Sequence, residues 1–172
     1  MQKGLNVEKC SDLIKKYAPP DNYALLEAPK LNLEVSSAIR ESVFRRDKKI
    51  VELQNQIGST LSALGQVLSS LLKDADSEQN VAYIKMISKA SKLLLDFHHK
   101  QSKSRRELIS PDLKIEAQET LSNVQVDSWL FGKKLGERIK ASKEVQEKIR
   151  SLPSKKKSCI KQMYLLVSPC II

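Results

Sequence analysis

The chain has 172 residues, of which 41% are hydrophobic and 29% are charged, and its formal net charge is +10. This length supports one domain with short extensions, and only five glycines and six prolines interrupt it, which favours long helices over a sheet that needs frequent tight turns. The odd set of cysteines, Cys10, Cys159 and Cys170, argues against a disulfide framework, and no apolar stretch reaches the roughly 20 residues that a membrane span requires.

An N-terminal arm is predicted for residues 1–32. A weak helical pattern covers residues 10–17 and stops before Pro19 and Pro20, because each proline removes a backbone N–H donor and restricts the preceding residue. Pro29 interrupts the chain again. We therefore predict an extended arm that lies on the surface of a helical domain formed by residues 33–150.

Two long amphipathic helices are predicted next, over about residues 47–73 and 77–110. In the first, apolar residues recur every three or four positions, which predicts one continuous seam. This leucine seam, interpreted as a core or oligomer contact, begins after Ile50 and consists of Leu53, Ile57, Leu61, Leu64, Leu68 and Leu71. The second helix carries a corresponding stripe of Tyr83, Ile87, Ala90, Leu94 and Phe97. Because the link between them is short and polar, we predict an antiparallel helical hairpin with coiled-coil-like packing.

Shorter C-terminal helices complete the predicted all-α fold. One is expected over about residues 112–121 and another over 133–150, where charges of both signs alternate. Between them lie Trp129 and Phe131, which we interpret as a cap on the core of the hairpin rather than as a surface that stacks bases. Residues 151–172 are interpreted as a basic, disordered tail.

Positive charge is concentrated in the second half of the chain. The net charge is +1 over residues 1–32 and zero over 33–76, but it is +9 over 77–172. Lysines recur there at helical spacing, and we predict that they bind nucleic acid through phosphates, without reading bases; a solvated helix face is the alternative. The predicted nucleic-acid-binding residues are Lys85, Lys89, Lys92, Lys100, Lys103, Arg105, Arg106, Lys155, Lys156 and Lys157.

No catalytic, cofactor or metal site is predicted. His98 and His99 are adjacent on a helix, so their side chains point about 100° apart and cannot share one metal ion. The cysteines lack the spacing of a zinc knuckle, and Gly58-Ser59-Thr60 lacks the lysine of a phosphate-binding loop. We therefore expect a soluble, intracellular, non-enzymatic protein, with cytoplasm and nucleus not distinguished, that uses no small-molecule substrate and no membrane.

Several short sequence motifs resemble those of a known family. They are the Pro-Pro run within residues 17–22, residues 28–32, Arg46-Asp47, the run Arg105-Arg106-Glu107-Leu108-Ile109 with Pro111-Asp112-Leu113 after it, and Leu130-Phe131-Gly132. Their order is similar to that in gag-like first-reading-frame proteins of invertebrate tyrosine-recombinase (DIRS-type) retrotransposons. The resemblance covers about residues 17–150 and implies an element-encoded protein that assembles with itself and packages RNA.

Two functions are therefore predicted from different classes. The first is a gag-like assembly protein that forms homo-oligomers and binds RNA or DNA without sequence specificity. The second is a helical adapter, derived from a transposable element, that binds a partner helix along the leucine seam and touches no nucleic acid.

Overall fold

The computed structural model describes residues 4–73, 77–122 and 124–151. Its helices are α1 (Val7–Lys16), α2 (Leu33–Ser36), α3 (Glu41–Lys73), α4 (Glu78–Ile109), α5 (Ile115–Ser122) and α6 (Leu135–Ser151), with 3₁₀ helices at Asp21–Leu26 and Ser110–Asp112. Over these residues the fold is all-α, as predicted. No helix in this part of the chain is both long and apolar enough to cross a membrane.

The helices α3 and α4 form the predicted antiparallel hairpin. Gln54 of α3 donates from Nε2 to the carbonyl oxygen of His98 (3.1 Å) and to the hydroxyl of Ser102 (2.8 Å) on α4. Earlier in α3, Asp47 contacts Arg105, which lies later in α4. Contacts that advance along one helix and retreat along the other define the antiparallel register. The first helix begins at Glu41, six residues before the predicted start at Asp47.

The predicted apolar stripes are only partly turned toward the partner helix. Leu61 is buried at 6% exposure, whereas Leu53 of the same predicted seam is 57% exposed. On α4, Tyr83 and Phe97 are 46% and 49% exposed, so the prediction that they face α3 is wrong. The buried side chains of α4 are instead His98, Ser102, Arg105 and Ile109. Polar residues hold this register because their hydrogen-bond partners lie on the other helix.

The N-terminal arm is more ordered than the extended segment predicted from its prolines. It contains α1 and the first 3₁₀ helix, and it lies along one flank of α3. Small and polar side chains of α3 hold it: the hydroxyl of Ser59 donates to the Ile14 carbonyl (3.4 Å), and the Ala28 N–H donates to the Asn55 side-chain oxygen (2.8 Å). Since α1 buries none of its residues, these contacts and the shape of the flank position the arm.

The apolar core lies at the base of the hairpin, away from the α3–α4 connection. Its buried members are Val35, Val43, Ile109, Leu121, Leu130, Phe131 and Leu135. Asn32 fixes the loop that carries Phe131, because its side chain accepts from the Phe131 N–H (3.0 Å) and donates to the Gly132 carbonyl (2.9 Å). Phe131 is 1% exposed. The prediction that this residue caps the core of the hairpin is confirmed, while Trp129 beside it is half-buried.

Candidate nucleic-acid interface

Five of the predicted lysines share the outer side of α4. This lysine stripe consists of Lys85, Lys89, Lys92, Lys100 and Lys103, all of which are exposed. At 100° per residue they occupy an arc of about 80° on the helix. Their arc lies opposite the side that carries His98, Ser102 and Arg105 toward α3, so the stripe does not take part in packing the hairpin.

Most of the lysine stripe carries unneutralised charge. Lys100 is paired with Asp96, one turn earlier, at an Nζ–Oδ2 distance of 2.6 Å. The hydrogen bond from Lys100 lowers the pKa of Asp96 below its ordinary value. Within the described residues, no carboxylate lies within salt-bridge distance of the other four ammonium groups. A local positive potential therefore runs along α4, interrupted once by Asp96.

Arg105 does not belong to this surface, and its predicted role in nucleic-acid binding is wrong. Its side chain is fully buried, and its Nε and Nη2 donate to the two carboxylate oxygens of Asp47 at 2.6 and 3.1 Å. Nη1 donates to the carbonyl oxygen of Pro29 (2.8 Å) and to Oε1 of Gln54 (3.4 Å). Arg105 thus joins the arm, α3 and α4, and its buried guanidinium cannot contact a phosphate in solution.

The prediction that Arg106 binds nucleic acid is also wrong, because its side chain points into the protein and not toward the lysine stripe. Its Nε and Nη2 both donate to the Leu130 carbonyl, at 2.9 and 2.7 Å, and its guanidinium lies 5.2 Å from the centre of the Phe131 ring. Partial burial lowers the pKa of Arg106. The residue holds the loop before α6 against the hairpin. The remaining predicted cations, Lys155, Lys156 and Lys157, lie outside the described residues.

A groove with a volume of about 700 Å³ lies between the arm and the hairpin. Tyr23 and Leu26 of the arm line it together with Leu61 of α3 and Ser91 of α4. The Ser91 hydroxyl and Nε2 of His98 are buried without a hydrogen-bond partner, and burial lowers the pKa of His98. Among the described residues, no cluster of His, Cys, Asp or Glu could hold a metal ion.

An exposed apolar row on α4 combines Tyr83, Ala90 and Phe97 of the predicted stripe with Met86 and Leu93. Residues 83, 86, 90, 93 and 97 follow the 3-4 spacing of a heptad, and their side chains form an apolar row beside the lysine stripe. Met86 and Leu93 are 66% and 73% exposed. We call this row the outer stripe: Tyr83, Met86, Ala90, Leu93 and Phe97. The heptad spacing of this row is visible in the sequence. Two overlapping apolar stripes on α4 both have helical spacing, so the sequence alone does not show which of them faces α3.

Comparison with known proteins identifies a family for most of the chain. No curated protein and no solved structure was found to match it. Residues 1–133, which include the arm, the hairpin and the Trp129–Phe131 loop, match the family described as "Domain of unknown function (DUF8747)". The match covers more than half of the 172 residues, and the chain therefore belongs to this family.

Proposed function

We propose that this chain is a gag-like structural protein of a retroelement, which assembles with itself and binds nucleic acid without sequence specificity. The observation that carries the nucleic-acid part is the lysine stripe, in which four of five exposed ammonium groups have no acidic partner among the described residues. The retroelement setting rests on the resemblance of residues 17–150 to gag-like proteins.

The chemistry of the stripe suits phosphates better than bases. From Lys85 to Lys103 the stripe extends for about 27 Å along the helix axis, which is long enough to follow several phosphates of one strand. A lysine ammonium is a point charge, whereas the planar guanidinium is the group that reads guanine in two simultaneous hydrogen bonds. Both arginines near the stripe, Arg105 and Arg106, have their guanidinium groups engaged inside the protein. We therefore propose binding that tolerates sequence changes.

Fluorescence anisotropy with labelled RNA and DNA of several sequences tests this proposal. Each phosphate contact contributes about 0.7 to 0.9 to the magnitude of the slope of log affinity against log salt, so four or five contacts predict a slope of about −3 to −4.5. The variant in which Lys85, Lys89, Lys92 and Lys103 are all changed to Glu should lose binding to every sequence. A matched control changes Lys9, Lys15, Lys140 and Lys143 to Glu, which are equally exposed but lie on α1 and α6.

Three outcomes contradict the nucleic-acid part of the proposal. They are the absence of binding at 50 mM salt, tight binding that survives half-molar salt, and equal loss in the stripe and control variants. Binding that is steeply salt-dependent and lost only in the stripe variant supports it.

The helical adapter is the second candidate, and the exposed apolar residues of the hairpin favour it. Leu53, Leu93 and Phe97 together present an apolar surface that a partner helix could cover. If the wild-type chain binds no nucleic acid at low salt, this function replaces the first.

A further inference from the structure

The outer stripe of α4 has the composition of a protein interface. It combines two aromatic residues, Tyr83 and Phe97, with Met86 and Leu93, and it contains no charged side chain. Aromatic residues and methionine are enriched at the centre of protein interfaces, and charged residues are depleted there. All five members are exposed. A contiguous exposed apolar row of this kind is typical of an interaction surface and not of a helix face that water covers.

The adjoining helix α3 lacks charge over an unusual length. Residues 53–72 contain no Asp, Glu, Lys or Arg, although 29% of the whole chain is charged. A helix that faces water on any side normally carries charged residues there. Yet Leu53, Val67 and Leu72 on this segment are 57%, 46% and 60% exposed. The arm covers one flank of α3 and α4 covers another, so the exposed and uncharged remainder indicates that a third side of α3 is covered.

The uncovered parts of the two helices lie on the same side of the hairpin. The arm contacts α3 through Asn55, Gly58, Ser59 and Ser62, which at 100° per residue lie on one flank relative to Gln54. The exposed edge of the leucine seam, with Leu53 at its start, lies on the opposite flank. On α4, Leu95 faces the arm-side groove, and the outer stripe lies on the other side of the helix. Both apolar edges thus lie on the face of the hairpin that is opposite the arm.

We propose that a second copy of this chain covers this face, so that two hairpins pack into an antiparallel four-helix bundle. The open face consists of the outer stripe of α4 and the exposed edge of the leucine seam on α3. Residues 53–71 extend for about 28 Å, and two adjacent helices are about 20 Å wide. Two copies would bury at least about 1,000 Å² in total, which is the lower limit for a specific interface.

A second copy suits this face better than an unrelated partner because the face is uncharged and therefore complementary to itself. Like charges would repel across a twofold interface, whereas the central part of α3 carries none. The lysine stripe occupies the outer arc of α4 and stays accessible in such a dimer. This inference deepens the self-assembly part of the proposed function by naming the surface through which two copies meet.

The test measures the mass of the full-length chain by size-exclusion chromatography with light scattering over a concentration series. Wild-type protein should elute at twice the chain mass of 19.4 kDa. The double variant Leu53→Glu/Phe97→Glu, with one change on each helix of the open face, should raise the dimer dissociation constant by about 100-fold. Leu53 is 57% and Phe97 is 49% exposed, so the hairpin should keep its helical circular dichroism. The control Leu33→Glu/Val145→Glu changes two residues of similar exposure on α2 and α6 and should remain dimeric.

Oxidation of Met86 by peroxide provides a second measurement. As a 66% exposed thioether, it should oxidise readily in the variant and slowly in the wild-type dimer. A wild-type monomer at all concentrations overturns the proposal. If Met86 is protected in that monomer, another segment of the same chain covers the face; if the variant instead loses affinity for single-stranded RNA, the face stacks bases. A monomer that binds nucleic acid contradicts the dimer but supports nucleic-acid binding by the lysine stripe. A dimer that binds no nucleic acid supports the open face as an interface and contradicts nucleic-acid binding, so the two proposals fail separately.

Discussion

Replacing Arg105 by methionine should destabilise the protein strongly, although a surface arginine changed in the same way should not. The substitution preserves much of the side-chain volume but removes four hydrogen bonds, two to Asp47 and one each to Pro29 and Gln54. Asp47, at 3% exposure, would be left buried without a cationic partner. Arg105 is itself 0% exposed, so water cannot replace it without opening the hairpin.

The size of the effect follows from this burial. Removing one partner of a buried ion pair costs about 3 to 5 kcal/mol, because the other charge remains desolvated. A domain of this kind is stable by only about 5 to 15 kcal/mol, so the variant would lose a large part of its stability. Replacing both members of the pair by apolar residues, in the double variant Asp47→Leu/Arg105→Met, should recover part of that loss because no buried charge remains. The Pro29 carbonyl would still lack its donor.

Urea denaturation followed by circular dichroism measures these differences. With a slope of about 2 kcal/mol per molar urea, the Arg105→Met midpoint should fall by about 1.5 to 2.5 M. Arg45→Met serves as the control, because Arg45 pairs with Glu41 on the surface at 74% and 67% side-chain exposure, and such pairs contribute less than about 1 kcal/mol. A shift for Arg105→Met as small as that of the control would refute the assigned role of the buried network.

Two glycines of α3 should respond in opposite directions to alanine. A Cβ at Gly58 would lie 2.0 Å from the Leu26 carbonyl oxygen, whereas one at Gly65 meets nothing within 4 Å; thermal melts should therefore show a lower Tm for Gly58→Ala and a Tm about 2 to 4 °C higher for Gly65→Ala, the latter from about 1 kcal/mol of helix propensity. Equal shifts would mean that the arm does not rest on Gly58. Phe131→Ala should cost about 3 to 5 kcal/mol in urea denaturation because the ring is 1% exposed, and a loss below about 1 kcal/mol would remove it from the core. Burial lowers the pKa of His98, so the unfolded chain binds this proton more readily; stability should fall as pH drops from about 6.5 toward the lowered pKa and then level off. In His98→Gln that part of the pH dependence should disappear. If the urea midpoint depends on pH between 7.5 and 5 in the same way in His98→Gln and in the wild type, this explanation is contradicted.

Much of the helical framework could be predicted from sequence, because helices are set by local spacing and by breakers. Apolar residues every three or four positions placed α3 and α4 within a few residues of their observed bounds, apart from the first turns of α3. The lysine stripe was predictable for the same reason, since residues three and four apart share a face of a helix. Prolines predicted where the arm leaves helical geometry, but the ten residues of α1 formed in spite of a weak pattern.

Only the tertiary structure decided which polar residues are inside. Sequence periodicity treats an arginine as a surface residue, yet Arg105 is buried because Asp47, 58 positions earlier, and the Pro29 carbonyl supply its partners. Arg106, the next residue, is held by a carbonyl 24 positions later. Such partners are distant along the chain, so no local pattern can reveal them. The choice between the two apolar stripes of α4 has the same origin: both satisfy helical periodicity, and the hydrogen bonds of Gln54 to α4 select the one that faces α3.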